Sequence, residues 1–395
     1  MTHTRAAREC FILPLQMNQS VSREGPIARL HTFWLRVSEG RQIDDLWAQF
    51  TADARASYGF YGSDVDWEEV KKLPRWRQPL HIAKQFFWAL LLKLSPARRV
   101  LLLVALALFI LSSLRVSVGD AFVLDAKFEW LSALLFLLLL SLELADKVTM
   151  KRDLEIAREI QSWLVPSQPP EIPGADMAFA TRPQNSVAGD YYDAFYPTAS
   201  AADGGKLMLV IADVAGKSVP AALLMATMQA SLRTVAGDDA PLGVLVPRLN
   251  RYASAYSLDG RRFTTAVLAQ YEGGTGKLTY VNAGHNAPVL RRADGTLEEL
   301  DKGGLPLGIE ANSAYETGSA CLRPGDVLIF FTDGCIEAFN AAGEEFGNKR
   351  WLAAIRALPD GTAQESLHYL MRHVDEFVGA TRQADDITCM IFRRG

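Results

Sequence analysis

Residues 209–226 read LVIADVAGKSVPAALLMA. An apolar run of strand character stops at one carboxylate, Asp213. Small residues follow, and a second apolar run with helical character begins near Pro220. An unpartnered carboxylate at a core edge is costly, so its place in this run needs a reason. The pattern recurs. Asp333 closes GDVLIFFTDG (325–334), Asp190 sits in NSVAGDYYDAFYP (185–197), and Asp385 and Asp386 open the final run ADDITCMIF (384–392). A single Asp beside Gly is ordinarily a turn residue. Several converging carboxylates repel one another unless cations lie between them. All-oxygen ligation suits hard divalent ions such as Mg²⁺ or Mn²⁺, whereas no His or Cys spacing suggests zinc.

Outward from these aspartates, the chain from Ile172 alternates short β-rich runs with Gly, Asn and Asp turns: KLMLVIADV, RFTTAVLAQYE, GKLTYVNAG, APVLRR. Helical stretches are expected at 221–235, 242–257 and 350–377. This order predicts an α+β sandwich rather than a doubly wound sheet, with core enough for a domain over 170–395. Asn282, Gly284 and Asn286 in NAGHNAP read as turn residues, and His285 reads either as part of that turn or as a residue at the edge of a site. Lys217 reads as a loop charge that either stays solvated or approaches a substrate, and Asp193 as a loop support.

Upstream, ADKVTMKRDLEIAREIQSWLVPSQPP carries a stripe of Met150, Leu154, Ala157, Ile160 and Leu164. It predicts a linker helix over 146–168, ended by Pro166. The stripe suits either a coiled-coil seam in a homodimer or packing on the chain's own domain. Residues 100–114 (VLLLVALALFILSSL) and 130–142 (WLSALLFLLLLSL) are almost free of charge, with Lys93, Arg98 and Arg99 before the pair and Lys147, Lys151 and Arg152 after it. The expectation is a two-span transmembrane hairpin over 98–145, both termini cytoplasmic, in contact with membrane lipid. Residues 80–94 suit a membrane-surface helix. Residues 1–95 name no ligand and form a cytoplasmic region of unassigned fold. The net charge of −4 gives no field for nucleic acid. The four cysteines lack metal spacing.

The pieces EIAREIQSWLVP, VAGDYYDAF, IADVAGKSVPAALLMA, TYVNAGHNAPVLRR, GLPLGI, GDVLIFFTDGCIEAFNAAGEEFG and DDITCMIFR occur in order across residues 154–394. In this the chain resembles the metal-dependent (PPM, type 2C) serine/threonine phosphatases, in the branch of stage-II sporulation protein E and the RsbU-type sigma-factor regulators. The resemblance implies a PPM-type β-sandwich flanked by helices. It implies a two-ion site holding Mn²⁺ or Mg²⁺: Asp190 on one ion, Asp213 bridging both, the Val214 backbone carbonyl, Asp333 on the other ion, and Asp385 as a further ligand with Asp386 as its neighbour. The implied reaction is hydrolysis of phosphoserine or phosphothreonine by a water bridging the ions, and the implied substrate is a phosphorylated anti-anti-sigma (STAS-type) protein in a bacterial signalling pathway at the inner membrane. A catalytically silent scaffold that regulates a partner by binding is the alternative. A nucleotide cyclase is not, because its Gly-Gly-Asp/Glu-Glu-Phe hairpin is missing. Three departures stand out. Ala188 replaces the first glycine of Gly-Gly-Asp, and Ser218 the last of Gly-Lys-Gly. Asn185-Ser186 stand where many relatives carry Arg-Glu, which puts an arginine contact to phosphate there in question.

Overall fold

The computed structural model describes residues 77–113, 128–197, 205–237, 240–257 and 262–395, with Val70, Pro74, Val116–Val118 and Phe122–Leu124. The expectation for residues 1–95 lies largely outside them. The chain divides into two units, residues 1–143 and 144–395.

In the first unit, α1 (Gln78–Lys93) precedes α2 (Pro96–Ser113). The short strands β1 (Val116–Val118) and β2 (Phe122–Leu124) pair antiparallel and lead to α3 (Glu129–Leu164). The first part of α3 packs on α2 at small residues. The Ser132 hydroxyl donates to the Ala105 carbonyl at 2.8 Å, both residues being buried, and Arg98 pairs with Glu143 at 2.9 Å. The helical hairpin exists, but the expected membrane crossing is not supported: among the described residues no helix is long and apolar enough to cross. The reason is length. The charge-free parts of α2 and α3, residues 100–113 and 130–142, rise roughly 20 Å each at about 1.5 Å per residue, against a hydrocarbon core of about 30 Å. The outward faces remain apolar, with Val100, Phe109, Ile110, Leu134, Leu137 and Leu140 exposed.

The second unit is a sandwich of two sheets with helices on both outer faces. One sheet has the order β10-β7-β6-β5-β4, with β11 also on β7; the other has β3-β13-β12-β8-β9. Their ranges are β3 Ala175–Arg182, β4 Tyr191–Phe195, β5 Leu207–Val214, β6 Thr264–Glu272, β7 Lys277–Ala283, β8 Val289–Arg291, β9 Leu297–Glu299, β10 Gly303–Gly304, β11 Gly318–Cys321, β12 Val327–Phe331 and β13 Ile387–Arg394. Strand β5 shows why its sequence is continuously apolar. Leu207, Leu209 and Ile211 enter the core between the sheets, whereas Met208, Val210, Ala212 and Val214 meet the helices α4 (Ser218–Ala236) and α5 (Leu242–Ala255). Both faces are buried, so the period-two alternation is invisible as polarity. The far sheet repeats the arrangement. Leu328, Phe330, Met390 and Phe392 point inward, while Ile329, Phe331 and Ile391 meet α6 (Gly347–Arg356) and α7 (Ala363–Val378). The single helix expected over 350–377 is two helices. Pro359 and Gly361 break it, and a capping box between Thr362 and Glu365 starts the second.

Candidate functional site

Strand parity and strand direction together aim the aspartates. Inward positions of β5 are 207, 209 and 211, so Asp213 continues the inward row at the end of the strand. Tyr191 pairs with Ala212, which brings the start of β4, and Asp190 just before it, to the same end. Phe331 pairs with Cys389, so Asp333 after β12 and Asp385-Asp386 before β13 share one end of the other sheet. The aspartates therefore gather where the two sheets open.

Their surroundings differ. Asp190 is almost fully buried and accepts a 3.0 Å hydrogen bond from the Thr332 hydroxyl, which itself accepts from the Thr388 amide at 2.9 Å. Burial, with Asp213 adding repulsion, raises its pKa well above the usual carboxylate range. Asp213 is pushed up to about 7 by burial first, then by Asp333, Asp385 and Asp386. Asp333 is raised by burial and by Asp385. Lys217 reaches across to Asp385, its ammonium donating to Oδ2 at 2.9 Å and to the Ala384 carbonyl at 3.0 Å. Asp386 has other work: its oxygens accept from the backbone amides of Gln184 and Gly189, each at 2.6 Å. It ties the loop carrying Asp190 to the start of β13.

Two glycines make room here. A Cβ on Gly189 would lie 3.3 Å from the Val214 carbonyl oxygen and 3.6 Å from Asp213 Oδ1, two atoms of the expected ligand set. A Cβ on Gly334 would fall 1.9 Å from the Asp386 carbonyl oxygen. The donor set is all oxygen, and the gap at Gly189 adjoins two of its members. That chemistry fits a hard divalent ion. Among the described residues, however, no three His, Cys, Asp or Glu side chains are grouped so as to hold an ion by themselves. The carboxylates are neighbours in mutual electrostatic reach rather than a closed cage, and the lysine on Asp385 is one physical reason.

Several residues that sequence reasoning missed or read blandly enter the site. Gln161, near the end of α3, clasps Ala188 through both backbone groups. Its amide donates to the Ala188 carbonyl at 2.7 Å and its carbonyl accepts from the Ala188 N–H at 3.0 Å. Lys217 pairs with Asp385 while its side chain stays 53% exposed. Ser218 has φ 62°, the sole non-glycine in the left-handed region among the described residues. His285 lies just after β7, against β6. It is buried, its Nδ1 is 2.8 Å from the Thr265 hydroxyl, and Asn282 brackets its backbone at 2.7 and 3.0 Å. Gly284 has φ 69° and packs against Pro306, so the turn reading of this piece describes its place.

The comparisons with known proteins bear on the family and the fold. The family model for stage II sporulation protein E (SpoIIE) matches residues 203–395. This region belongs to the SpoIIE family. Protein IcfG of Synechocystis sp. is 27% identical over 282 residues, covering 65% of this chain and 43% of that protein. The phosphoserine phosphatase RsbU of Bacillus subtilis is 29% identical over 189 residues, covering 48% of this chain and 54% of RsbU. The chain thus spans about half the length of the curated relatives it matches. Among solved structures, the SiaA-PP2C domain of Pseudomonas aeruginosa matches with TM-score 0.55 at 22% identity, over 63% of this chain and 98% of that domain. The likeness carries the α+β sandwich fold.

Proposed function

We propose that the protein is a metal-dependent phosphoprotein phosphatase acting on phosphoserine or phosphothreonine. The observation that carries this reading is the meeting of Asp190, Asp213, Asp333 and Asp385 at the open end of the sandwich, beside the gap at Gly189. The SpoIIE match supports it. Two Mn²⁺ or Mg²⁺ ions held by these carboxylates and the Val214 carbonyl would supply charge to activate water and to neutralise phosphoryl oxygens. The chain's own residues orient the donors. Thr332 aims Asp190, Asp386 fixes the Gly189 peptide, and Lys217 holds Asp385 until a stronger cation competes. The substrate is proposed to be a phosphorylated anti-anti-sigma (STAS-type) protein.

The test is Mn²⁺- and Mg²⁺-dependent hydrolysis of a phosphoserine peptide by the full chain, with Asp213→Ala and Asp333→Ala beside it. Turnover that needs the metal and is lost in both variants is expected; turnover equal in all three proteins would refute the reading. The second reading is a silent scaffold that binds a partner, and the Lys217–Asp385 pair is the observation in its favour. It predicts partner binding without metal-dependent turnover.

The apolar hairpin of α2 and α3 is proposed to hold the chain at the inner face of a bacterial cytoplasmic membrane, seated in lipid rather than crossing it. Exposed Leu, Ile and Phe side chains support that role. Recovery of the expressed chain in the fraction not bound to membranes would argue against it. A homodimer through α3 is also proposed, because Met150, Ile156, Ile160 and Trp163 are exposed along it. A monomer in sedimentation would end that idea.

A further inference from the structure

Beside the carboxylates lies a hollow of about 450 Å³ whose walls include Arg158 of α3, Asn185 and Ser186 of the β3–β4 loop, Ser218 at the start of α4, and Arg382 before β13. Its chemistry is the opposite of its neighbour's. It is lined by two arginines, the amide residues Gln184 and Asn185, two serines and the apolar Leu154 and Val187, and by no carboxylate. Arg182, Arg233 and Arg292 of this unit are spent on protein acids: Arg182 on Asp375, Arg233 on Asp193, Arg292 on Asp326 and Glu298. Arg158 and Arg382 are exposed and make no hydrogen bond or ion pair among the described residues. Two cations facing one hollow without a counter-charge favour an anion between them. Guanidinium groups match phosphate oxygens in geometry as well as charge.

Three walls of the hollow continue into the aspartate loops. Ser186 leads through Gly189 to Asp190. Ser218 follows Lys217, which is bonded to Asp385, and Arg382 precedes Asp385 by three positions. An anion held there sits next to the carboxylate end of the sandwich. A dianionic phosphate monoester approaching four carboxylates is repelled, and a positive rim offsets that repulsion.

We propose that this hollow is the anion-receiving rim through which the phosphoryl group of the substrate approaches the carboxylate end, with Arg158 and Arg382 as its cationic contacts on the way in. The proposal rests on the phosphatase reading, and it explains how the site manages with Asn185-Ser186 at its rim. It also joins α3 to substrate binding, because Arg158 belongs to that helix.

The test uses the full chain with inorganic phosphate as probe, followed by ³¹P line broadening with and without Mg²⁺, together with steady-state kinetics on a phosphoserine peptide. The variants are the double exchange Arg158→Gln/Arg382→Gln and its conservative counterpart Arg158→Lys/Arg382→Lys. The double Gln variant is expected to weaken phosphate binding and to raise KM at least about tenfold, with kcat reduced less and the Mn²⁺ half-saturation within twofold of wild type. The double Lys variant should recover part of the loss. Phosphate binding and KM both within twofold of wild type in the Gln variant would overturn the proposal. If the wild type hydrolyses nothing, the phosphatase reading fails, and the phosphate titration still decides the hollow. Binding that is lost in the Gln variant sustains it as an anion site, and no binding by the wild type ends it.

Discussion

Strand β4 and its approach carry two buried aspartates three residues apart, and the chain treats them in opposite ways. Asp193 is fully buried and fully answered. Arg233 grips it with Nε and a terminal nitrogen, both at 2.8 Å, the Tyr191 hydroxyl donates at 2.7 Å, and the Ala194 amide at 2.9 Å. The same guanidinium lies 3.8 Å over the Phe195 ring. Asp190 is almost as deeply buried, yet it meets a threonine hydroxyl and the field of other carboxylates. A buried charge with a dedicated cation is architecture. A buried charge whose near neighbours are like charges stores repulsion, and a fold tolerates it where a ligand is to relieve it. The difference between Asp190, just before β4, and Asp193, in the middle of it, is the best argument for where the chemistry lies.

The largest effect that sharpens the comparison is on the unanswered side. Asp213→Asn should lower kcat/KM on a phosphoserine peptide by at least about a thousandfold, equivalent to about 4 kcal/mol of transition-state stabilisation. It should not unfold the protein. In chelator at neutral pH, its melting temperature should equal or exceed that of wild type, because one repelling charge has been removed. Mn²⁺ at a hundred times its dissociation constant should stabilise the wild type by about 2.7 kcal/mol and the variant far less. A variant that melts well below wild type in chelator would place Asp213 among the structural carboxylates.

On the answered side the signs reverse. Asp193→Ala strands Arg233 and the Tyr191 hydroxyl. The Arg233 side chain is 42% exposed, which lets water take over part of its solvation. A loss of about 3 kcal/mol in denaturant unfolding is expected, with the Mn²⁺ dependence of turnover kept in the folded fraction. Little change in stability together with lost metal response would break the comparison.

His285 gives a smaller, pH-dependent check from β6, where Thr265 pairs with Asp213. Burial lowers its pKa to about 4. The unfolded chain takes up this proton near the ordinary value of about 6.5, so the unfolded state binds it first as the pH falls. Stability from this residue is therefore present above about pH 6.5 and lost towards pH 4, by about 3 kcal/mol at most. The difference in unfolding free energy between wild type and His285→Asn should shift across that window in this direction. A difference that stays constant from pH 7 to pH 4.5 would show that the imidazole is not buried as described.

What the sequence revealed, and what it hid, follows the same divide. Apolar runs ending in Asp were legible because strand burial and strand ends are local properties; Asp190, Asp213 and Asp333 needed no partner to be noticed. Asp193 looked like a loop support because its cation stands forty positions away on α4. Gln161 and Ala188, Lys217 and Asp385, and the walls shared by Arg158 and Arg382 were hidden for the same reason: distant segments meet only in the folded sandwich. The pair Asp385-Asp386 could be ranked but not explained until two backbone amides were found on Asp386. The membrane hairpin misled in the other direction. Leucine density was read as span length, although the charge-free rise of each helix is too short.

The smallest predicted effect concerns the residue where sequence and structure meet most directly. Ser218 replaces a glycine expected there, and its φ of 62° lies where an L-residue pays about 1–2 kcal/mol. Ser218→Gly relieves that strain but adds freedom to the unfolded chain, a cost of roughly 0.5–1 kcal/mol. The balance is a gain of about 0.5 kcal/mol, readable as a small rise in the denaturation midpoint. Ser218→Ala keeps the strain and removes the hydroxyl, so it should gain nothing. If both substitutions stabilise equally, the hydroxyl rather than the backbone is the source of the cost. If Gly destabilises, the serine is making a contact worth more than its strain. In that second case the turn after Lys217 would be held by its side chain, and the unanswered end of the sandwich would be less open than its carboxylates suggest.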